Sequence, residues 1–334
     1  MSKLKNTKTK LDWINNNPRI KKSISYHLNN GSEIPQMVFG YSPVAAEEAA
    51  NFISSKMLPS DINSIVYKEK GLLSREVNFI RQRLDRVSKI NLFDVAETSG
   101  DSSLPFIYEL IEADLLYKYI PVTPNKEVNA LAIEKVNDFV TQAMLGKIKY
   151  DSILADSEVV DFKTQVIDIS KEMQVNDFLN LFVLSGSRLG NSHNPERMLQ
   201  NIYASMNEGD YLAVIQGLYR QGIEDLIVSD YQSIVDQEGN LMMQKIIAEE
   251  LNPGGDHHVF WEDSINPGVR FGTKVQKSEN DLVKDLVDGQ YVNLFKSNRF
   301  KEQGLSEMIL KTGFSFVDIA YDKNMDHGLF FLEK

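Results

Sequence analysis

The segment whose residue types and spacing most directly suggest chemistry is Leu181-Phe182-Val183-Leu184-Ser185-Gly186-Ser187-Arg188-Leu189-Gly190-Asn191. A continuous apolar run ends in small residues. Such a run reads as a strand buried on both faces, and in an open α/β sheet ligands bind beyond the carboxyl ends of the strands. Gly186 and Gly190 allow close backbone approach or a positive φ, and Asn191 offers one acceptor and a double donor. An ordinary strand-to-helix turn has the same spacing. A second candidate follows an earlier apolar run, at Asp94-Val95-Ala96-Glu97-Thr98-Ser99-Gly100-Asp101. Nucleotide-binding turns at such a place carry several glycines and an acid. Of a D-x-G-x-G-x-G pattern only Asp94 and Gly100 stand, with Ala96 and Thr98 between them. Asp94 would accept a hydrogen bond from a ligand amine or hydroxyl, and Asp101 reads equally as a helix N-cap.

The remaining groups suggest less. His257-His258 with Asp256 and Glu262 invites a metal reading, but adjacent residues of a strand face opposite sides, so no metal site is expected. His193 suits a base beside the Gly190-Asn191 turn, or a solvated loop residue. The serine of Gly186-Ser187-Arg188-Leu189-Gly190 stands one place early for a nucleophile elbow. Glu249 and Glu250 do not share a helix face.

These residues need a scaffold, and the chain outlines one. Apolar runs at Ile90–Val95, Tyr117–Val122, Lys147–Ala155, Asn180–Leu184 and Tyr211–Ile215 read as five strands. Helical stretches at Leu104–Ala113, Glu127–Leu145 and Pro195–Met206 alternate with them, the last opening on a proline, which suits a first helical turn. This alternation predicts an α/β fold with a parallel, doubly wound sheet. Phe314–Ala320 and Gly328–Leu332, joined by a polar loop with Asp322, Asn324 and Asp326, read as an antiparallel hairpin at the sheet edge. The stretch Gln216–Gly313 is too long for a connection. It reads as an insertion that builds a second lobe with the N-terminal region.

Composition narrows the classes. The chain has 334 residues, a net charge of −11, 42% hydrophobic residues and no cysteine. Disulfide scaffolds and cysteine-based nucleophiles or metal sites are excluded. No apolar run approaches the ~20 residues of a membrane span, and the start shows no signal-peptide core. The expectation is a soluble, cytoplasmic protein without a membrane or nucleic-acid partner, because an acidic body repels phosphate. The stretch Met1–Lys22 carries seven basic residues against Asp12 alone, and reads as a solvated terminus.

Taken together these residues resemble the histidine-specific S-adenosylmethionine-dependent methyltransferases of the ergothioneine pathway, over about residues 65–334. Val183–Asn191 is similar to that family's Phe-Leu-Gly-Ser-Thr-Ile-Gly-Asn segment. Pro195-Glu196-Arg197 and Asn207-Glu208-Gly209-Asp210-Tyr211 resemble its proline-started helix and the Gly-Asp before its fifth strand. Ala96–Asp101, Tyr119–Val122, Leu72–Glu76, Ser297–Phe300 and Thr312–Phe314 echo other elements. The resemblance implies a Rossmann-like class I methyltransferase sheet with an antiparallel C-terminal hairpin. It implies a core of residues 66–219 and 300–334, an N-terminal segment 1–65, and an inserted substrate lobe 220–299. It implies S-adenosylmethionine as cofactor, with Asp94, Ala96, Thr98, Gly100, Asp156, Ser185 and Gly186 around it. It places Ser187, Asn191, Phe295 and Ser297 around a small-molecule or peptide acceptor.

Departures qualify it. Thr123 stands where the family has a ribose-binding acid. Phe295 falls where a glutamate reads the histidine ring, which argues against histidine as acceptor, since a polar ring would lose its buried partner. Leu72 and Leu73 replace paired tyrosines. The lost glycines point to an alternative: a non-catalytic binding or assembly subunit with a degenerate donor site.

Overall fold

The computed structural model describes residues 18–31, 33–34, 71–74, 77, 80, 89–95, 103–142, 148–171, 178–236, 247–249, 251–255, 257–263, 267–276 and 286–334. Its main sheet contains β1 (Lys89–Asp94), β2 (Leu116–Thr123), β3 (Lys149–Tyr150), β4 (Ile153–Leu154), β5 (Phe178–Leu184), β6 (Tyr211–Gly217), β10 (Ser315–Tyr321) and β11 (His327–Glu333). The order is β10-β11-β6-β5-β1-β2-β3, with β4 also paired to β2. The strands β3, β2, β1, β5 and β6 pair in parallel, and β11 is antiparallel to both neighbours. This is a Rossmann-like α/β sheet of the class I methyltransferase type, with a reversed last strand. The hairpin lies at the edge as expected, and its second strand is the inner one. Residues 327–332 of β11 are buried throughout, whereas β10 is half-exposed.

One difference from the sequence reading concerns element limits. The expected third strand is broken into β3 and β4, with Asp151 and Ser152 between them. The helix expected over Glu127–Leu145 is described over Lys126–Gln142, with residues 143–147 outside the described residues, and Asn125 Oδ1 caps it by accepting from the Glu127 and Val128 N–H groups (2.9 and 3.3 Å).

Alternation along each strand divides the core into two layers. Phe93 and Phe182 stack at 4.5 Å on one face, under helices Lys163–Lys171, Pro195–Ser205 and Glu302–Thr312. Leu92, Leu181 and Tyr119 face the other way, under helices Leu104–Glu112 and Lys126–Gln142. Each such side chain, fully buried, contributes roughly 1.5–3 kcal/mol. One polar ladder interrupts the apolar layers near the amino ends of the strands: Asn91 Nδ2 donates to Asn180 Oδ1 (2.9 Å), and Asn180 Nδ2 donates to Asp210 Oδ1 (3.0 Å).

A second core lies in the chain that follows β6. Strands β7 (His258–Trp261), β8 (Gly268–Lys274) and β9 (Tyr291–Asn298) form an antiparallel sheet in that order. Helix Glu224–Asp236 packs on it, and so does helix Pro18–Gly31 through Ile24 and Leu28. After that helix, Glu33 bridges in parallel to Asn293 on the free edge of β9.

Candidate functional site

The strand order reverses direction between β1 and β5, and the crevice beyond their carboxyl ends is the place where such sheets bind ligands. The turn after β5 occupies it. Gly186 and Ser187 are both left-handed, at φ 70° and φ 54°, and the single turn of helix Arg188–Asn191 follows. Left-handed backbone costs a non-glycine residue about 1 kcal/mol, so Ser187 holds this shape only because its surroundings fix it. Two anchors do so. The Arg188 guanidinium pairs with Glu158 at 3.2 Å, with both side chains buried. Glu158 also accepts the His193 N–H at 3.0 Å. Burial pushes the Glu158 carboxyl above its ordinary value, against the pull of that N–H. On the other side, Gly190 N–H donates to Gln216 Oε1 (2.8 Å), and Gln216 Nε2 donates to the Asn298 carbonyl (3.2 Å). A Cβ on Gly190 would lie 2.4 Å from that carbonyl, so only glycine fits beneath β9.

The end of β1 is closed by hydrogen bonds. Asp94, fully buried, accepts from Ser103 Oγ and Tyr119 Oη, both at 2.9 Å, and Ser103 Oγ lies 3.2 Å from Ser185 Oγ. One polar chain therefore joins β1, β2 and β5. The N-cap position of the following helix is Ser103, whose hydroxyl turns to Asp94 instead of capping. Ala96, Thr98 and Gly100, with Asp101, lie outside the described residues. At the end of β2 the Thr123 hydroxyl donates to the Asn125 carbonyl (2.9 Å) and forms the turn there. Asp156, just after β4, accepts from the Glu158 N–H at 3.0 Å.

The second sheet roofs the turn. Lys296 of β9 pairs with Glu33 at 2.6 Å, and Glu33 lies 3.3 Å from His193 Nδ1. Arg270 bridges Glu262 and Asn298 Oδ1. Phe295 and Ser297, expected at the acceptor, belong to the other side of β9. Phe295 packs on Tyr231 (ring centroids 5.8 Å apart), and Ser297 Oγ accepts from the Tyr231 hydroxyl at 2.7 Å. Alternation, with a register shift between Phe271 and Gly272, puts Asn293, Lys296 and Asn298 on the opposite face. Sequence reasoning missed Glu33, Gln216, Lys296 and Asn298. Only Gln216 carried a local signal, as an amide ending an otherwise apolar strand. Asn191, which the sequence did single out, ends the helical turn after β5, with its Oδ1 buried and without a partner among the described residues.

The histidine pair does not converge. The His257 ring contacts Thr273 Oγ1 (2.9 Å) and Glu249 (3.3 Å), while His258 packs beside Phe260 and Tyr291. Ligand atoms do gather within 4.8 Å at the β10–β11 tip, from Asp322, Asp326 and His327. There Asp322 accepts the Asn324 and His327 N–H groups, and Asp326 contacts the His327 ring, so these side chains build the turn. Among the described residues no helix is long and apolar enough to cross a membrane.

No protein-family model matches this chain, and no curated protein does. Solved structures are similar in arrangement. A S-adenosylmethionine-dependent methyltransferase from Clostridium acetobutylicum is 9% identical, with a TM-score of 0.42 over 85% of this chain and 97% of that one. A 1,6-didemethyltoxoflavin-N1-methyltransferase from Burkholderia thailandensis, with S-adenosylhomocysteine bound, is 9% identical at a TM-score of 0.41, over 86% and 88%. Magnesium protoporphyrin IX methyltransferase from Synechocystis, also with S-adenosylhomocysteine bound, is 8% identical at a TM-score of 0.46, over 94% and 99%.

Proposed function

We propose that the chain is a S-adenosylmethionine-dependent methyltransferase acting on a small amine-bearing or amino-acid-like acceptor other than histidine. The observation that supports it best is the Ser185–Asn191 turn, left-handed at Gly186 and Ser187 and anchored at the β1/β5 switch point of a methyltransferase-type sheet. In this reading residues 66–219 and 300–334 form the donor-binding core, and residues 1–65 and 220–299 the acceptor lobe. The left-handed turn supports the reading, because Ser185 and Gly186 bring backbone to the carboxyl edge of the sheet, and Asp156 would stand beside the adenine at the turn after β4. The cofactor's fit is poorer at Thr123, which has no charge for a ribose diol and whose hydroxyl is already engaged.

When bound, the sulfonium supplies an already activated methyl group. The protein's task is then alignment and exclusion of water. Asp94 and Ser185 fix the turn, Ser187 and Asn191 face the junction of donor and acceptor, and Gln216 sets the spacing between the turn and β9. The chain reads as a divergent relative of the histidine-specific family, because the residue at the ring-reading position, Phe295, is part of the second core.

A second reading, a binding subunit without transfer activity, is favoured by Thr123 and by Asp94, whose two oxygens already accept hydroxyls. Calorimetry with S-adenosylmethionine and S-adenosylhomocysteine separates the two. Saturable binding of either supports the enzyme; no heat from either at millimolar concentration would sink it.

A further inference from the structure

The face of β9 that roofs the crevice carries one amide the site has not yet used. Val292, Leu294 and Phe295 enter the second core, and the register against β8 shifts between Phe271 and Gly272, so Leu294 is the extra residue. That bulge keeps Asn293 on the same face as Lys296 and Asn298. Those two neighbours reach Glu33 and, through Gln216, the turn after β5. Asn293 also bridges backbone to backbone with Glu33. Its Oδ1 is buried and has no hydrogen-bond partner among the described residues, and the same is true of Asn191 Oδ1. A buried acceptor left unmade costs about 1–3 kcal/mol and calls for an explanation. Here the Asn293 residue lies beside Glu33, to which its backbone is bridged.

The charged groups beside Asn293 are paired with one another. Burial pushes the Glu33 carboxyl up, but the Lys296 ammonium and the His193 ring together hold it below the ordinary carboxylate range. His27, whose ring centroid lies 6.4 Å from that of His193, is shifted down by burial and by His193 and so is neutral at pH 7. Arg270 is engaged by Glu262.

We propose that Asn293, with Glu33 beside it, is a recognition element for a small organic cation that presents N–H donors, a primary ammonium or a guanidinium. The inference rests on the methyltransferase reading only in naming that cation as one end of the acceptor, the end that is held and not the atom methylated. An N–H donor carried by the ligand satisfies the orphaned Asn293 oxygen, and a quaternary ammonium of equal charge does not.

The test titrates agmatine, and separately choline, into the full-length chain with S-adenosylhomocysteine present. Agmatine is expected to bind and choline to bind at least tenfold more weakly. Asn293→Ala should weaken agmatine about tenfold or more, the size of one hydrogen bond to a charged group, and leave S-adenosylhomocysteine binding unchanged. Asn293→Asp keeps the acceptor oxygens and should retain agmatine binding, which guards against a folding defect in the alanine variant. Equal binding of choline, no binding of agmatine, or an unaltered Asn293→Ala overturns the proposal. Agmatine binding without any S-adenosylhomocysteine binding would uphold this site and remove the methyltransferase reading.

Discussion

Replacing Asp210 by Asn should change how the stability of this protein depends on pH. Asp210 is buried just before β6. Its Oδ1 accepts from Asn180 Nδ2 (3.0 Å) and its Oδ2 from the Asn207 N–H (2.7 Å). Burial raises its pKa from 3.8 to about 6, despite the opposing Asn207 and Asn180 hydrogen bonds and the Lys163 ammonium. A shift of about 2 pH units corresponds to about 3 kcal/mol. The sign follows from proton linkage. Between the two values the folded state binds the proton more tightly than the unfolded state, so stability falls as pH rises. The contribution is complete below pH 3.8 and lost as pH rises through about 6. Asparagine has no proton to lose, so this dependence disappears in the variant. One contact also becomes donor against donor, a penalty of about 1–3 kcal/mol that is the same at every pH. Urea unfolding of the wild type and of Asp210→Asn, at intervals from pH 4 to pH 8, gives the comparison. The variant is expected to gain about 2.4 kcal/mol on the wild type between pH 4 and pH 8, most of the full shift. Two curves that stay parallel would refute the reasoning, whatever their absolute separation.

Two further outcomes test the anchors of the turn. Gly190→Ala places a Cβ 2.4 Å from the Asn298 carbonyl, a backbone atom, and 2.6 Å from Gln216 Nε2. It should cost about 1–3 kcal/mol in thermal or urea unfolding and weaken S-adenosylhomocysteine in calorimetry, whereas Gly304→Ala, with open space around its Cβ, should do neither. Arg188→Met leaves the buried Glu158 carboxylate without its 3.2 Å partner and should cost about 3–5 kcal/mol. Adding Glu158→Leu should recover much of that loss, and a double variant no more stable than Arg188→Met would show that the pair is not the anchor.

The sequence by itself determined the sheet. Strands buried on both faces must be apolar along their whole length, so Asn180–Leu184 and Tyr211–Ile215 announced themselves, and the proline before Glu196 marked a helix start. The alternation of strands and helices then left few topologies, since parallel strands need crossovers. Part of the site was legible for the same reason: an apolar strand running into Ser185-Gly186-Ser187 has to end in a tight turn at the carboxyl edge. The left-handed φ of Ser187 was not legible, because a serine there is strained and only the Arg188–Glu158 and Gly190–Gln216 anchors sustain it. Nor were the acceptor-side residues. Phe295 and Ser297 stand two apart and share a face, as Asn293, Lys296 and Asn298 do, but one extra residue at Leu294 decides which face is which, and a bulge leaves no mark in the sequence. Glu33 lies 160 residues from His193 and meets it only because helix Pro18–Gly31 packs on the second sheet and delivers Glu33 to the edge of β9. Local pattern fixes which residues are apolar and where turns fall. Contacts between distant segments depend on how two cores pack against each other, and there tertiary structure alone decided.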